Sequence, residues 1–327
     1  MKNTLKALAC LLAVPIVSLA EVEFNTFNVG DMTPLAINYG APRSTSPAQL
    51  SAGQWQWQLG LNIANSLHIE QREKYNEVLE VDSETSRYEL RLEYGLSDLW
   101  DLRLEIPFVQ LDAGSLDGFI DDFHQALGFP EGSRPLRAED QLNIRYQRDG
   151  QTLINTSESD SGIGDASISF VRNLASGYED SLSYGIQLKF PSGSALSTDT
   201  HDLALWATAA NQLSTRVNHF VSFGAVGIEK NKGLLADLRR SSYGFLRYGL
   251  NWRVNQLVEF KVQLDVQSSL YKKTDTRLLG HSSSAAVGGT LHMQKHWDLD
   301  IAVIEDIDTE TTSDVVLHFN LRKRYGS

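Results

Sequence analysis

Two groups of residues in this sequence have types and spacing suited to chemistry. The first is His281 and Ser283, two positions apart, with Glu305 in a later segment. Alternate residues of a β-strand share a face, so an imidazole and a hydroxyl placed this way can meet. A nearby carboxylate orients such an imidazole, which then activates the serine as a nucleophile. The same residues also suit an ordinary strand entry, because serine and alanine surround them.

The second group lies in residues 116–128, where apolar residues recur at the spacing of an amphipathic helix. The opposite face of that helix carries Asp117, Asp121 and His124, with Asp122 beside them. Three interpretations stay open: a constriction that favours cations, a divalent metal site, and a solvated helix face. Our prediction for these four residues is the pore or loop constriction, with no metal and no cofactor.

Other chemistry is excluded by composition. The chain has 327 residues, a formal charge of −12 and a single cysteine, Cys10. A disulfide framework and a zinc–thiolate cluster both need more cysteines, and nucleic-acid binding needs a basic surface. The sequence also lacks a Gly-x-Ser-x-Gly elbow, a His-Glu-x-x-His motif and a phosphate-binding glycine loop. We therefore expect no nucleic-acid partner, and the missing motifs favour a protein that is not an enzyme over the hydrolase that His281 and Ser283 would form.

The first twenty residues predict export. Lys2 and Lys6 precede a short apolar stretch, and Ser18-Leu19-Ala20 is a small-x-small cleavage site. Residues 1–20 are thus interpreted as a signal peptide, with lipoprotein processing at Cys10 as the alternative. After it, no apolar run is long enough for a transmembrane helix.

Period-two alternation of apolar and polar residues recurs along most of the remaining chain, which is typical of β-strands with two different faces. The segments are longer than usual globular strands and match the length of tilted strands that cross a bilayer. Several carry an aromatic residue at one end, as interfacial girdles require. The predicted strands are 54–69, 85–95, 99–110, 164–174, 181–191, 201–212, 216–228, 241–253, 257–271, 281–293, 297–307 and 313–325.

The connections between these segments alternate between short and longer. Bacterial outer-membrane barrels have this arrangement, with short periplasmic turns, longer external loops and an even number of strands. A soluble sandwich also alternates along its strands, but it has no reason to sort its loops by length. The sequence therefore predicts an all-β, antiparallel transmembrane barrel of about twelve strands. One long external loop, 111–163, carries the short helix, and both chain termini are periplasmic.

Several stretches resemble an uncharacterised proteobacterial outer-membrane β-barrel family, domain of unknown function 3187. The most specific is Leu116–His124 with Gly128-Phe129-Pro130 and Arg134. The others are Tyr146–Gly150, Ser161–Asp165, Lys189–Gly193, and Glu305-Asp306 with Asp314. The resemblance spans roughly residues 34–325. It implies the barrel fold and brings no established activity.

The predicted organisation is a signal peptide at 1–20, an N-terminal segment at 21–53 and a barrel at 54–327. The N-terminal segment is interpreted as a periplasmic piece or a plug inside the lumen, because its apolar residues gain from burial. We expect a passive, porin-like channel or a plugged structural barrel of the outer membrane. Its expected partners are membrane lipid, lipopolysaccharide, the barrel insertion machinery and small solutes. The alternative is an outer-membrane lipid hydrolase that uses His281, Ser283 and Glu305.

Overall fold

The computed structural model describes residues 24–47, 49–128, 138–176, 180–294 and 296–326. Twelve long antiparallel strands form the wall of one closed β-barrel, which confirms the predicted fold. The wall strands are β1 (Trp55–Arg72), β2 (Glu77–Ser97), β3 (Trp100–Asp112), β7 (Ala166–Ser176), β8 (Asp180–Phe190), β9 (Asp202–Ser214), β10 (Val217–Ile228), β11 (Ser242–Arg253), β12 (Val258–Gln267), β13 (Ser282–Met293), β14 (Trp297–Asp306) and β15 (Val315–Tyr325).

Each wall strand pairs with its neighbours in the chain, and the first and last strands close the ring. Leu59 of β1 pairs with Leu90 of β2 on one side and with Leu321 of β15 on the other. The β3–β7 ladder is shorter than the rest and runs from Trp100 to Glu105 along β3. Closure leaves no free sheet edge in the wall, which is the condition for a sheet inside a membrane.

The two faces of the wall differ as the alternation predicts. Along β8, every second residue is buried and the residues between them are exposed. The exposed set is apolar, as with Leu182, Ile186 and Leu188, whereas the buried set includes Ser183, Gln187 and Lys189. A surface that is apolar on the outside and polar inside suits lipid around the barrel and polar groups within it.

Aromatic rings lie at the end of the barrel where the first wall strand begins and the last wall strand ends. The rings of Trp55 and Tyr325 stack with centroids 4.4 Å apart, and Trp100 meets Tyr184 edge to face at 6.0 Å. Such rings suit the level of lipid headgroups, because they have an apolar body and a polar edge. This end also carries the short turns, such as the one between Ser97 and Trp100.

The long connection between β3 and β7 adds structure at the opposite, external end. Its helix is α1 (Asp117–Leu127), which lies within the predicted range of 116–128. Three short strands follow: β4 (Asn143–Arg148) and β5 (Gln151–Thr156) extend the sheet from β2, and β6 (Asp160–Ile163) pairs with β3. Within the described residues, no helix is long and apolar enough to cross a membrane.

Residues 24–47 and 49–50, which we call the lumen segment, lie inside the barrel. Phe27, Val29, Met32 and Ile37 are buried and pack against small or apolar residues of the inner wall. These wall residues are Ala64, Val109, Ala286, Ala302, Ile304 and Val316. The barrel therefore has an apolar cluster in its lumen in addition to the apolar surface outside.

Candidate functional site

The lumen segment runs up one side of the lumen and back, so that it has two limbs. Arg247 on β11 binds both of them. Its Nη2 donates a hydrogen bond to the carbonyl oxygen of Val29 at 3.2 Å, and its Nη1 donates to that of Arg43, also at 3.2 Å. The guanidinium also pairs with Asp265 on β12, which keeps its charge compensated inside the protein. One side chain of the wall thus joins the limbs.

The returning limb is bonded to the wall again near the periplasmic end. Arg103 donates from Nη1 to the carbonyl oxygen of Ser46 at 3.0 Å and from Nη2 to that of Pro47 at 2.9 Å. Thr45 Oγ1 donates to Ser222 Oγ at 2.8 Å. The bonds involve side chains of the wall, so the backbone ladder of the barrel does not depend on them.

The tip of the lumen segment, residues 33–40, reaches the external part of the lumen. The backbone N–H of Gly40 donates to Asp202 Oδ2 at 3.0 Å, and Tyr271 Oη donates to the carbonyl oxygen of Leu35 at 2.8 Å. A Cβ at position 40 would lie 2.7 Å from the Cβ of Asp202, so only glycine allows this approach. Lys189 donates to the carbonyl oxygen of Asn38 at 3.2 Å.

A cluster of buried ion pairs stands beside this tip. Arg87 and Arg91 both contact the carboxylates of Glu89 and Glu105, at distances between 2.8 and 3.2 Å. Arg87 Nη1 also donates to Asn38 Oδ1 of the lumen segment at 3.3 Å. Each charge has an opposite charge in contact, which offsets the cost of removing it from water.

Beyond the tip lies a cavity of about 760 Å³, which we call the outer chamber. Its walls come from the lumen segment, from β2–β5 and from the external loops around 156–160, 195–199 and 234. The apolar residues that line it are Pro34, Leu35, Ile37, Val109, Leu111, Ile144, Ile154, Ala195, Leu196 and Leu234. Glu158, Asp160 and Asp199 contribute carboxylates to the same lining.

The three residues of the predicted hydrolase are not joined into a triad. The His281 ring is exposed, and its Nε2 lies 3.1 Å from Asp308 Oδ2. Among the described residues, no hydrogen bond joins His281 to Ser283. Glu305 is paired in register with Ala285, two positions from Ser283. Hydrolysis by these residues stays a prediction, and the orienting carboxylate nearest to the imidazole is Asp308 instead of Glu305.

Of the predicted constriction residues, Asp117 is buried and bonded on both carboxylate oxygens. Asn65 Nδ2 donates to Oδ1 at 2.8 Å, and the backbone N–H of Asp140 donates to Oδ2 at 2.7 Å. Asp121 is half-buried and Asp122 is exposed, while the side chain of His124 lies outside the described part. Asp117 thus fixes the start of α1, and a role in a constriction stays a prediction for all four residues.

Two titratable groups at the external end have shifted pKa values. Burial, together with a 2.6 Å hydrogen bond to Glu77, raises the pKa of Tyr146 to about 12. Hydrogen bonds from Lys232 and then from His201 lower the pKa of Glu229 to about 2. Both groups therefore keep one charge state near neutral pH. Within the described residues, no cluster of three or more histidine, cysteine or carboxylate side chains could hold a metal ion.

Comparison with known protein families identifies the family of this chain. The model of the family described as "Protein of unknown function (DUF3187)" matches residues 4–325. The chain belongs to that family. The predicted resemblance is therefore confirmed, although Phe129, Pro130 and Arg134 of its most specific stretch lie outside the described residues. A search of curated proteins finds no match.

Several solved structures are similar to this chain. The COG4313 outer-membrane channel from Pseudomonas putida F1 is 13% identical, with a TM-score of 0.55 over 85% of this chain and 97% of that chain. The NanC porin is 10% identical, with a TM-score of 0.46 over 84% and 99%. The CymD monoaromatic hydrocarbon channel is 10% identical, with a TM-score of 0.43 over 94% and 95%. The first likeness establishes the fold of this DUF3187 member as that of an outer-membrane barrel.

Sequence reasoning missed the residues that bind the lumen segment. Arg247 and Arg103 stand at inward positions of predicted strands, where an arginine must find an acceptor inside the protein. Arginines at inward positions of the strands were a signal that polar groups fill the lumen. The acceptors are backbone carbonyls of an aperiodic segment, and no sequence pattern marks which carbonyl an arginine will reach.

Proposed function

We propose that this DUF3187 barrel is an outer-membrane channel for small solutes, closed by the lumen segment in the conformation described. The observation that carries the proposal is the independence of the wall from its contents. Each of the twelve wall strands pairs with two other wall strands. No described β-ladder includes a residue between 24 and 50. The segment can therefore leave the lumen without exposing a sheet edge to lipid.

The contacts of the segment support this role. Its wall partners include the side chains of Gln263, Ser222 and Arg103, each of which water can replace when the segment moves. Each such hydrogen bond contributes roughly 0.5–1.5 kcal/mol net to the closed state. The inner wall left behind is largely polar, as the lining of a water-filled passage is, with one apolar patch around Ala64 and Ile304.

The apolar outer face of the wall also supports a location in the outer membrane. We infer that residues 1–20 direct export and are removed, and that the insertion machinery then places the barrel in the outer membrane. Lipid and lipopolysaccharide would contact the exposed apolar face, which includes Leu205 and Phe223. The short turns and both chain termini would face the periplasm, and α1 with β4–β6 would face outwards.

Conductance of the barrel in planar bilayers tests the channel. The variant lacks residues 24–50, with Val22–Glu23 joined to Ser51, and is compared with the full mature chain. We expect the intact chain to be closed with brief openings and the deletion variant to conduct continuously. Heat-dependent migration in detergent gels is the control that the shortened barrel is folded. A folded deletion variant that conducts no ions would show a filled structural barrel instead of a channel.

A further inference from the structure

We propose that the outer chamber is a binding site for a small amphipathic organic cation, a molecule with an apolar body and one positive group. The volume of about 760 Å³ lies in the range of small-molecule sites. This inference rests on the proposed function in one respect, because it treats the chamber as the external end of the solute path. Binding itself requires no passage through the lumen.

The floor of the chamber is apolar. Leu35 and Ile37 of the lumen segment meet Val109 and Leu111 of β3 there, and Ile144 of β4 stands beside them. An apolar body placed on this floor removes hydrocarbon surface from water on both sides, which favours binding. The floor therefore favours binding of an apolar group and adds little binding free energy for a fully hydrated sugar or ion.

The rim of the chamber carries charge of one sign. Glu158 and Asp160 follow β5, and Asp199 precedes β9. Of the described residues that line the chamber, none is a lysine or an arginine. None of the three carboxylates forms an ion pair with a described residue. Carboxylates without a cationic partner around an apolar floor create a negative potential that favours a positive ligand.

The cations behind the lining of the chamber offset only part of this potential. Arg239 donates to Tyr39 Oη at 3.3 Å and Arg43 donates to the carbonyl oxygen of Ile37 at 2.8 Å, and neither forms an ion pair with a described residue. The other two cations are compensated. Lys189 lies behind Asn38, where its Nζ is 2.8 Å from Asp165 and 3.1 Å from Asp202. Two carboxylates in contact with one ammonium leave the surroundings of Lys189 with no positive excess. Arg87, also behind Asn38, contacts Glu89 and Glu105 in the same way.

The position of the floor gives binding a consequence for closure. Pro34, Leu35 and Ile37 belong to the tip of the lumen segment, so a ligand on the floor touches the segment directly. A ligand that binds one position of the tip more tightly than another shifts the equilibrium between closed and open barrels. The chamber therefore joins recognition of the solute to movement of the segment that blocks its path.

Titration calorimetry on the full mature barrel in detergent tests the site, with benzyltrimethylammonium as the probe. Benzenesulfonate and benzyl alcohol are the anionic and neutral controls of similar size, and detergent alone gives the blank. The test variant combines Glu158→Gln, Asp160→Asn and Asp199→Asn. The matched control variant combines Glu73→Gln, Asp149→Asn and Asp237→Asn, which removes the same charge from exposed positions outside the chamber. Asparagine also tolerates the positive φ of Asp199 and Asp149.

We expect saturable binding of the cation alone, weakened by roughly tenfold in the test variant and by less than about twofold in the control variant. Equal binding of benzenesulfonate, equal loss in both variants, or no saturable binding of the cation would overturn the site. Cation binding in a barrel that never conducts would reject the channel and leave the site standing. Conductance without cation binding would reject the binding site and leave the channel standing.

Discussion

The periplasmic part of the lumen and the outer chamber lie in the same barrel but are filled differently. In the former, both limbs of the lumen segment are bonded to the wall, through Arg247, Arg103 and Thr45. In the latter, the tip of the segment presents Leu35 and Ile37 to a cavity. The backbone of the tip is also bonded to the wall, through Asp202, Tyr271 and Lys189, so the two regions differ in the apolar side chains of the tip, which face a space that the wall does not fill.

We expect Arg247→Ala to loosen the lumen segment more than Arg240→Ala or Thr45→Val. The variant removes two donors to the lumen segment and leaves Asp265 without its guanidinium, and breaking such a buried pair costs about 3–5 kcal/mol. We expect amide hydrogen exchange of residues 24–47 to accelerate by at least two orders of magnitude, while the wall strands keep their protection. Arg240→Ala is the control, because Arg240 is exposed and its side chain bonds only to the carbonyl oxygen of Tyr271 among the described contacts. Equal acceleration in both variants would contradict the role of Arg247.

A smaller effect is expected from Thr45→Val, which keeps the shape of the side chain and removes its hydroxyl. The hydrogen bond to Ser222 is lost, at a cost of about 1 kcal/mol to the closed state. Exchange of the neighbouring amides should increase by roughly fivefold, and the bond from Thr208 to the backbone of residue 45 should persist. Unchanged exchange at Thr45 and Ser46 would show that this hydroxyl adds nothing to closure.

The wall was predictable because one physical rule governs every strand. Lipid outside and polar groups inside impose alternation, so segments such as 181–191 could be placed within a residue or two of β8. The hairpin of β1 and β2 is longer than predicted, since it continues past the barrel and pairs with β4. β4, β5 and β6 were missed, because strands of four to six residues carry too few alternations to stand out.

The contents of the lumen were less predictable than its wall. Residues 21–53 have no period, so the sequence indicated only that Phe27 and Ile37 would gain from burial. Where they are buried depends on long-range contacts such as that between Phe27 and Gln263, which are 236 positions apart. The outer chamber could not be predicted for the same reason, because it is a gap between seven separate stretches of chain.

A reversible cross-link between the lumen segment and the wall tests most directly whether movement of the segment opens the barrel. The variant is Thr45→Cys with Ser222→Cys, since the two side-chain oxygens lie 2.8 Å apart and Cys10 is the only native cysteine. Single-channel recordings in planar bilayers are made on the oxidised protein and again after a reductant is added, with each single cysteine variant as a control. We predict no openings in the oxidised protein and their return on reduction. Equal conductance before and after reduction would contradict the account, as would a reduced protein that stays closed while the barrel without residues 24–50 conducts.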